Sequence, residues 1–162
     1  MDITYCHTSF GCFEIQGSHL GIRSVQLTEY VHKEGNISVP SSLKAATEQL
    51  QAYFDGHLET FDVALDWTGT TPFNQSVWRA LQAIPYGHTT SYSAIAHQLN
   101  NPKAVRAVGL ANKHNPIAII VPCHRVIAKS GELQGYFYGL DMKRRLLALE
   151  NPQSFGHQGA LF

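Results

Sequence analysis

Apolar and polar positions alternate with small breaks over residues 1–30. Ile3 and Tyr5 lead into Phe10-Gly11-Cys12-Phe13-Glu14-Ile15, and Ile22, Val25 and Leu27 follow. A period of two marks strands with one buried face. Gly17-Ser18-His19 separates two of these runs, so the stretch predicts an antiparallel hairpin or small sheet. Gly35-Asn36 and Val39-Pro40 mark a loop. The spacing then becomes helical. Leu43, Ala46, Leu50 and Tyr53-Phe54 share one face, with Ser41 or Ser42 as cap and Gly56 as stop. Phe61, Val63 and Leu65 alternate as a last short strand.

Thr68-Gly69-Thr70-Thr71-Pro72 reads as a boundary. Thr71 as N-cap and Pro72 in the first helical position start a helix carrying Phe73, Val77, Leu81 and Ile84, with Trp78 in its core face and Pro85-Tyr86-Gly87 as its end. Ser91 to Leu99 predicts a short helix, Asn100-Asn101-Pro102 a turn, and Lys103 to Ala111 a second helix. Two short helices about a tight polar turn form a helix-turn-helix pattern. Ala104, Ala107, Gly109 and Ala111 surround Arg106, which suits close approach to another surface or to another helix. Ile117 to Val121 is a continuous apolar run that reads as a buried strand, ended by Pro122. Gly135-Tyr136-Phe137-Tyr138-Gly139 suits a loop around a flat ligand or a hydrophobic plug. Asp141 is placed to cap a final helix with Leu146, Leu147 and Leu149 inward, and residues 151–162 read as a loose tail. Lys143, Arg144 and Arg145 sit near the N-terminus of that helix, where positive charge opposes the helix dipole. The predicted fold class is α/β of the α+β kind: a small N-terminal sheet-plus-helix module, residues 1–70, then a mostly helical C-terminal domain, residues 71–162.

Composition narrows the picture. The chain has 162 residues, 44% of them hydrophobic, enough for a real core. No apolar run reaches the roughly 18 residues of a membrane span, and no basic region leads an apolar segment at the N-terminus. Three cysteines, Cys6, Cys12 and Cys123, cannot all pair, which points to a reducing cytoplasm. None has structural zinc spacing, so no metal is expected. Net charge is zero, but residues 1–71 hold three basic and nine acidic side chains, whereas residues 72–162 hold nine basic and three acidic. A basic half in a balanced chain suits contact with a polyanion.

The candidate chemistry centres on Pro122-Cys123-His124-Arg125-Val126. A thiol at the mouth of a core, beside an imidazole and with a guanidinium one residue further on, is expected to sit in positive surroundings that favour thiolate, the nucleophilic form. Taken alone, a cysteine after an apolar strand is usually a small buried hydrophobe.

The same five residues resemble the active-site signature of the O6-alkylguanine–DNA alkyltransferases. The resemblance spans roughly residues 71–150 and takes in Ser91-Tyr92, Arg106-Ala107-Val108-Gly109, Asn115-Pro116, Gly139-Leu140 and Leu146-Leu147-Ala148-Leu149-Glu150. It implies an N-terminal ribonuclease-H-like structural domain and a C-terminal DNA-binding, alkyl-acceptor domain. It further implies single-turnover transfer of an alkyl group, usually methyl, from O6-alkylguanine, and by extension O4-alkylthymine, in duplex DNA to Cys123. A cysteine–water–histidine–glutamate relay would run through His124 and Glu150. Asn115 would brace the active-site turn, and Tyr92 would supply a proton or hydrogen bond to the leaving guanine. Arg106 would fill the place of the flipped base, with Ala107 and Gly109 beside it in the minor groove. Val126, Tyr136, Phe137 and Tyr138 would line the substrate pocket, where the bulk of Phe137 and Tyr138 implies methyl repaired better than benzyl. No cofactor is implied, and the protein would act as a cytoplasmic monomer. A non-catalytic lesion binder is the alternative, although relatives of that kind lack the cysteine.

Overall fold

The computed structural model describes residues 1–29, 38–133 and 135–155. The loop expected at Gly35-Asn36 lies outside them. The chain divides into two compact units. The first is Met1–Thr68 with Pro116–Ile120, and the second is Gly69–Asn115 with the described residues from Val121 onward. Residues 116–120 thus group with the first unit, although in sequence they lie within the stretch expected to form the C-terminal domain.

In the first unit three strands form an antiparallel sheet in the order β1 (Asp2–Thr8), β2 (Gly11–Ser18), β3 (Gly21–Thr28). The register pairs Cys6 with Phe13 and Ile15 with Val25, which puts these side chains on one buried face. A bulge falls at Gln16/Gly17, and a Cβ on Gly17 would stand 2.6 Å from the Gly21 carbonyl oxygen, so only glycine fits. Helix α1 (Lys44–Phe54) buries Ala46, Leu50, Tyr53 and Phe54, and Phe54 stacks on Phe13 at 5.1 Å. Neither Ser41 nor Ser42 caps it. They form a 3-10 turn, Ser41–Leu43, and the Ser42 hydroxyl donates to the Asp2 carboxylate instead.

Two expected strands are not formed. Around Phe61–Leu65 the chain meets the edge of β3 only at Ile22, through Ile22 N–H to Ala64 O (2.9 Å) and Asp66 N–H to Ile22 O (2.8 Å). Asp66 then accepts from Thr68 N–H at 3.0 Å and turns the chain away. Ile117–Val121 is buried throughout, yet it pairs with β3 only at Val25. Ile119 adopts φ +73°, and Ile120 N–H reaches back to Ala118 O at 2.8 Å. A β-branched residue in that region carries roughly 1–3 kcal/mol of strain, which complete burial holds in place. A run apolar at every position carries no period, so nothing in it separates strand from buried turn.

The second unit opens with α2 (Pro72–Gln82). Thr71 Oγ1 accepts from Asn74 N–H at 3.2 Å and proline stands in the first turn. Trp78 fills core, with Nε1–H donating to Ala111 O at 2.9 Å. A two-residue parallel pair joins β4 (Thr90–Ser91) to β5 (Val126–Ile127). Helix α3 (Tyr92–Gln98) is capped by Ser91 Oγ, which accepts from Ala94 N–H at 3.1 Å. Helix α4 (Val105–Lys113) packs on α3. It starts two residues later than expected because Ala104 N–H closes a turn onto Asn101 O at 2.9 Å. Helix α5 (Leu140–Glu150) is entered through Gly139 at φ +93°, so Asp141 lies in the first turn and is not the cap. The tail is not loose at its start: Pro152–Phe155 forms α6, and Phe155 packs with Leu133 and Leu147. Among the described residues no helix is long and apolar enough to cross a membrane.

Candidate active site

Proline at 122 ends the buried run, and Cys123–Arg125 make one 3-10 turn directly before β5. Cys123 is 5% exposed and His124 fully buried. His124 Nε2 lies 2.6 Å from Glu150 Oε2, so the last residue of α5 meets the turn. The other ring nitrogen, Nδ1, is buried and has no protein hydrogen-bond partner. Asn115 braces the turn by donating from Nδ2 to Val121 O at 2.8 Å, and Asn112 Nδ2 donates to Cys123 O at 3.4 Å.

The expectation of a resting thiolate is corrected. Burial is the largest influence on Cys123 and pushes its thiol up. A hydrogen bond from the Asn115 side chain, the charge of Lys143 and the backbone N–H groups of Cys123 and His124 offset this only in part. Burial also holds His124 below the ordinary histidine value, against the pull of Glu150, and Arg125 and Lys143 push it the same way as burial. The resting site therefore pairs a neutral thiol with a neutral imidazole. Arg125 lends the sulfur no charge. Its Nε donates to Glu150 Oε1 at 2.8 Å, Nη2 to Oε2 at 3.0 Å and Nη1 to Ile84 O at 2.7 Å. Burial works to raise the Glu150 carboxyl, but His124 and Arg125 outweigh it and hold the group far below the usual carboxylate range.

The cation that does act on the sulfur is Lys143. It is fully buried, its Nζ donates to Val126 O at 2.5 Å, and burial lowers its pKa to about 8. Sequence spacing held the signal. Lys143, Leu146, Leu147 and Glu150 are i, i+3, i+4 and i+7 on one buried face, whereas Arg144 and Arg145 are exposed. A buried lysine with a lowered pKa destabilises the fold while it is protonated in both states. Stability is regained only as pH rises from about 8 through the ordinary 10.5, where the unfolded chain binds more protons. We expect Lys143→Met to be more stable than wild type at pH 7 by roughly 2 kcal/mol, the gap closing toward pH 10. Urea unfolding of both proteins across that range checks it.

The other expected residues fall in two groups. Tyr92 opens α3, and its phenol is pushed up, first by burial and then by Cys123, so it stays protonated. It lines an open groove of about 340 Å³ with Val105, Arg106, Gly109, Leu110, Lys113 and Gly135. Arg106 and Ala107 are exposed on α4. A Cβ on Gly109 would stand 4.0 Å from the Tyr92 ring, so this face of α4 lies close to the phenol. Val126 is fully buried in β5. In the aromatic loop Tyr136 is buried with an unpartnered hydroxyl, Tyr138 is half-buried and packs edge-on to it at 5.7 Å, and Phe137 is 65% exposed. None of the four lines the groove beside Tyr92, and of the loop's three aromatic rings Phe137 is the exposed one. Among the described residues no three His, Cys, Asp or Glu side chains gather as a metal site.

The chain matches two domain families. One is described as 6-O-methylguanine DNA methyltransferase, ribonuclease-like domain, over residues 1–67, and the other as 6-O-methylguanine DNA methyltransferase, DNA binding domain, over residues 72–152. A methylated-DNA–protein-cysteine methyltransferase of Mycolicibacterium paratuberculosis is 55% identical over 133 residues, 82% of this chain and 80% of that protein. One from Methanosarcina acetivorans is 50% identical over 143 residues, 84% and 89% of the two chains. A crystal structure of Mycobacterium tuberculosis OGT in complex with DNA superposes with a TM-score of 0.81 at 47% identity, covering 91% of each chain.

Proposed function

The chain belongs to the 6-O-methylguanine DNA methyltransferase family and repairs DNA by direct alkyl transfer, and on that premise we propose that Cys123 is the acceptor and that O6-alkylguanine in duplex DNA is the donor. The observation that carries the assignment is the short turn holding Cys123 next to a buried, neutral His124 whose far nitrogen is bonded to Glu150. Such a histidine is able to take a proton and be stabilised once charged, the logic of a catalytic triad.

The reaction is one displacement. The sulfur forms a bond to the alkyl carbon as the carbon–O6 bond breaks, and that electron pair leaves on the guanine. The thiol proton passes to His124 Nδ1 through a bridging water, and Glu150 stabilises the imidazolium. The Tyr92 phenol donates to the departing guanine. The product is a thioether, a poor leaving group, so each molecule acts once. In this reading residues 1–70 are a ribonuclease-H-like structural domain and residues 71–162 the acceptor domain. O4-alkylthymine is a second donor.

Access to the atom requires the base to leave the stack, at a cost of a few kcal/mol. We place the flipped base on the groove beside Tyr92, with α4 in the minor groove, Arg106 in the vacated stack, and Ala107 and Gly109 allowing close approach. Contacts of this kind read little sequence, so binding by the monomer is salt-sensitive and largely sequence-independent. The free thiol requires a reducing compartment, which makes the protein cytoplasmic.

Duplex DNA carrying labelled O6-methylguanine tests the assignment. Label should move to the protein one-for-one and not at all in Cys123→Ala. Binding without transfer in wild type would make the protein a lesion binder instead. For the pocket, Tyr138→Gly should raise the rate with benzylguanine several-fold more than the rate with methylguanine. Equal changes in both single-turnover rates would remove Tyr138 from the pocket wall.

A further inference from the structure

Arg125 stands next to the reacting pair, yet each nitrogen of its guanidinium is hydrogen-bonded to Glu150 or Ile84. Its fork takes both Glu150 oxygens, Oε1 at 2.8 Å and Oε2 at 3.0 Å, and its third nitrogen is fixed on Ile84 O at 2.7 Å. The guanidinium also lies 5.7 Å over the Tyr86 ring, and Gly87 N–H reaches Glu150 Oε1 at 3.4 Å. Glu150 is acceptor-only and buried, so it requires a cation. Two neighbours are able to supply one, His124 by protonating and Arg125 permanently.

We propose that Arg125 is a positioning residue for the transfer step: by serving as the permanent counter-charge of Glu150, it leaves His124 neutral and therefore able to receive the Cys123 proton. The inference rests on the relay proposed above. Were His124 the counter-ion of Glu150 at rest, it would already hold the proton it has to accept. The charges around the imidazole are few. Glu150 and Lys143 face it from α5, Arg125 and Cys123 lie on its own turn, and the Tyr136 phenol stands near Cys123 and Glu150. Helix α2 also packs on the turn, but its one charged side chain, Arg79, is exposed. With Glu150 matched by Arg125, Lys143 adds a net positive charge, and imidazolium is disfavoured until a thiolate forms beside it. The geometry is bidentate, which a lysine does not reproduce.

The test is the single-turnover rate of methyl transfer from saturating duplex O6-methylguanine as a function of pH. In wild type the acid limb should lie below 6.5, the ordinary histidine value. In Arg125→Gln it should move up by about one pH unit or more, since a like charge has been taken from the imidazole. Arg125→Lys should fall between. A purely structural arginine would lower the rate evenly at all pH values and leave the midpoint in place, and that result overturns the proposal. A wild-type acid limb at or above 6.5 overturns it as well, without need of a folded variant. Failure of the proposed acceptor assignment is seen separately, as label transfer that survives Cys123→Ala.

Discussion

Glu150→Gln should slow methyl transfer about 10²- to 10³-fold and unfold far more easily than wild type. The carboxylate accepts from His124 Nε2 at 2.6 Å, from Arg125 Nε at 2.8 Å and Nη2 at 3.0 Å, and from Gly87 N–H at 3.4 Å. An amide replaces one acceptor oxygen by an NH₂ group, which then faces a guanidinium or an imidazole N–H. The catalytic loss follows because a neutral amide does not stabilise the imidazolium formed when His124 takes the thiol proton. The stability loss follows because Arg125 becomes a buried cation with no counter-charge, worth about 3–5 kcal/mol in such settings.

The pH dependence separates this account from simple loss of packing. Glu150 has a folded value far below its ordinary 4.5. Its contribution is thus fully present above 4.5 and is lost as pH falls toward the folded value. The stability gap between wild type and Glu150→Gln should be widest near neutrality and shrink below pH 4. Urea denaturation at pH 7 and pH 3.5 measures it, and a gap of equal size at both would mean that the carboxylate charge is not what holds the turn.

The sequence carried the outline of this site unevenly, for physical reasons. Thr71-Pro72 and Ser91 mark helix starts because capping is local, and both caps form. Ser41 and Ser42 looked equally good, but the Asp2 carboxylate competes for the Ser42 hydroxyl, a contact 40 residues away that no local pattern reveals. The Cys123-His124-Glu150 grouping was legible only through family resemblance, since 26 residues separate the histidine from its carboxylate. What proximity in sequence suggested about charge was misleading. Arg125 is two residues from Cys123 but spends its charge on Glu150, whereas Lys143, 20 residues on, is the cation that acts on the sulfur. Direction of a side chain, not distance along the chain, decides which charge a thiol meets, and only the helical phase of Lys143 hinted at it.

Arg106→Gly should lower transfer from duplex DNA about 10- to 10²-fold, measured against transfer from free O6-methylguanine base. Arg106 is exposed at the second position of α4 and lines the same groove as the Tyr92 phenol. With the base against Tyr92 as proposed, its guanidinium is the side chain that would occupy the stack the guanine has left. Extruding a base costs a few kcal/mol, and a stacked replacement recovers about 1–3 kcal/mol of that. Each 1.4 kcal/mol is a factor of ten, so loss of the replacement predicts about one to two decades in the duplex rate. Free base needs no extrusion and makes no use of the arginine, so the ratio of the two rates isolates the flipping step from the chemistry at Cys123. Salt dependence gives a second check. Removing one cation from the DNA face should flatten the slope of log affinity against log salt by at most about one unit. A fall in both rates by the same factor would place Arg106 in the folding or chemistry of the site, and no change in either rate would show that α4 holds the flipped state by other side chains.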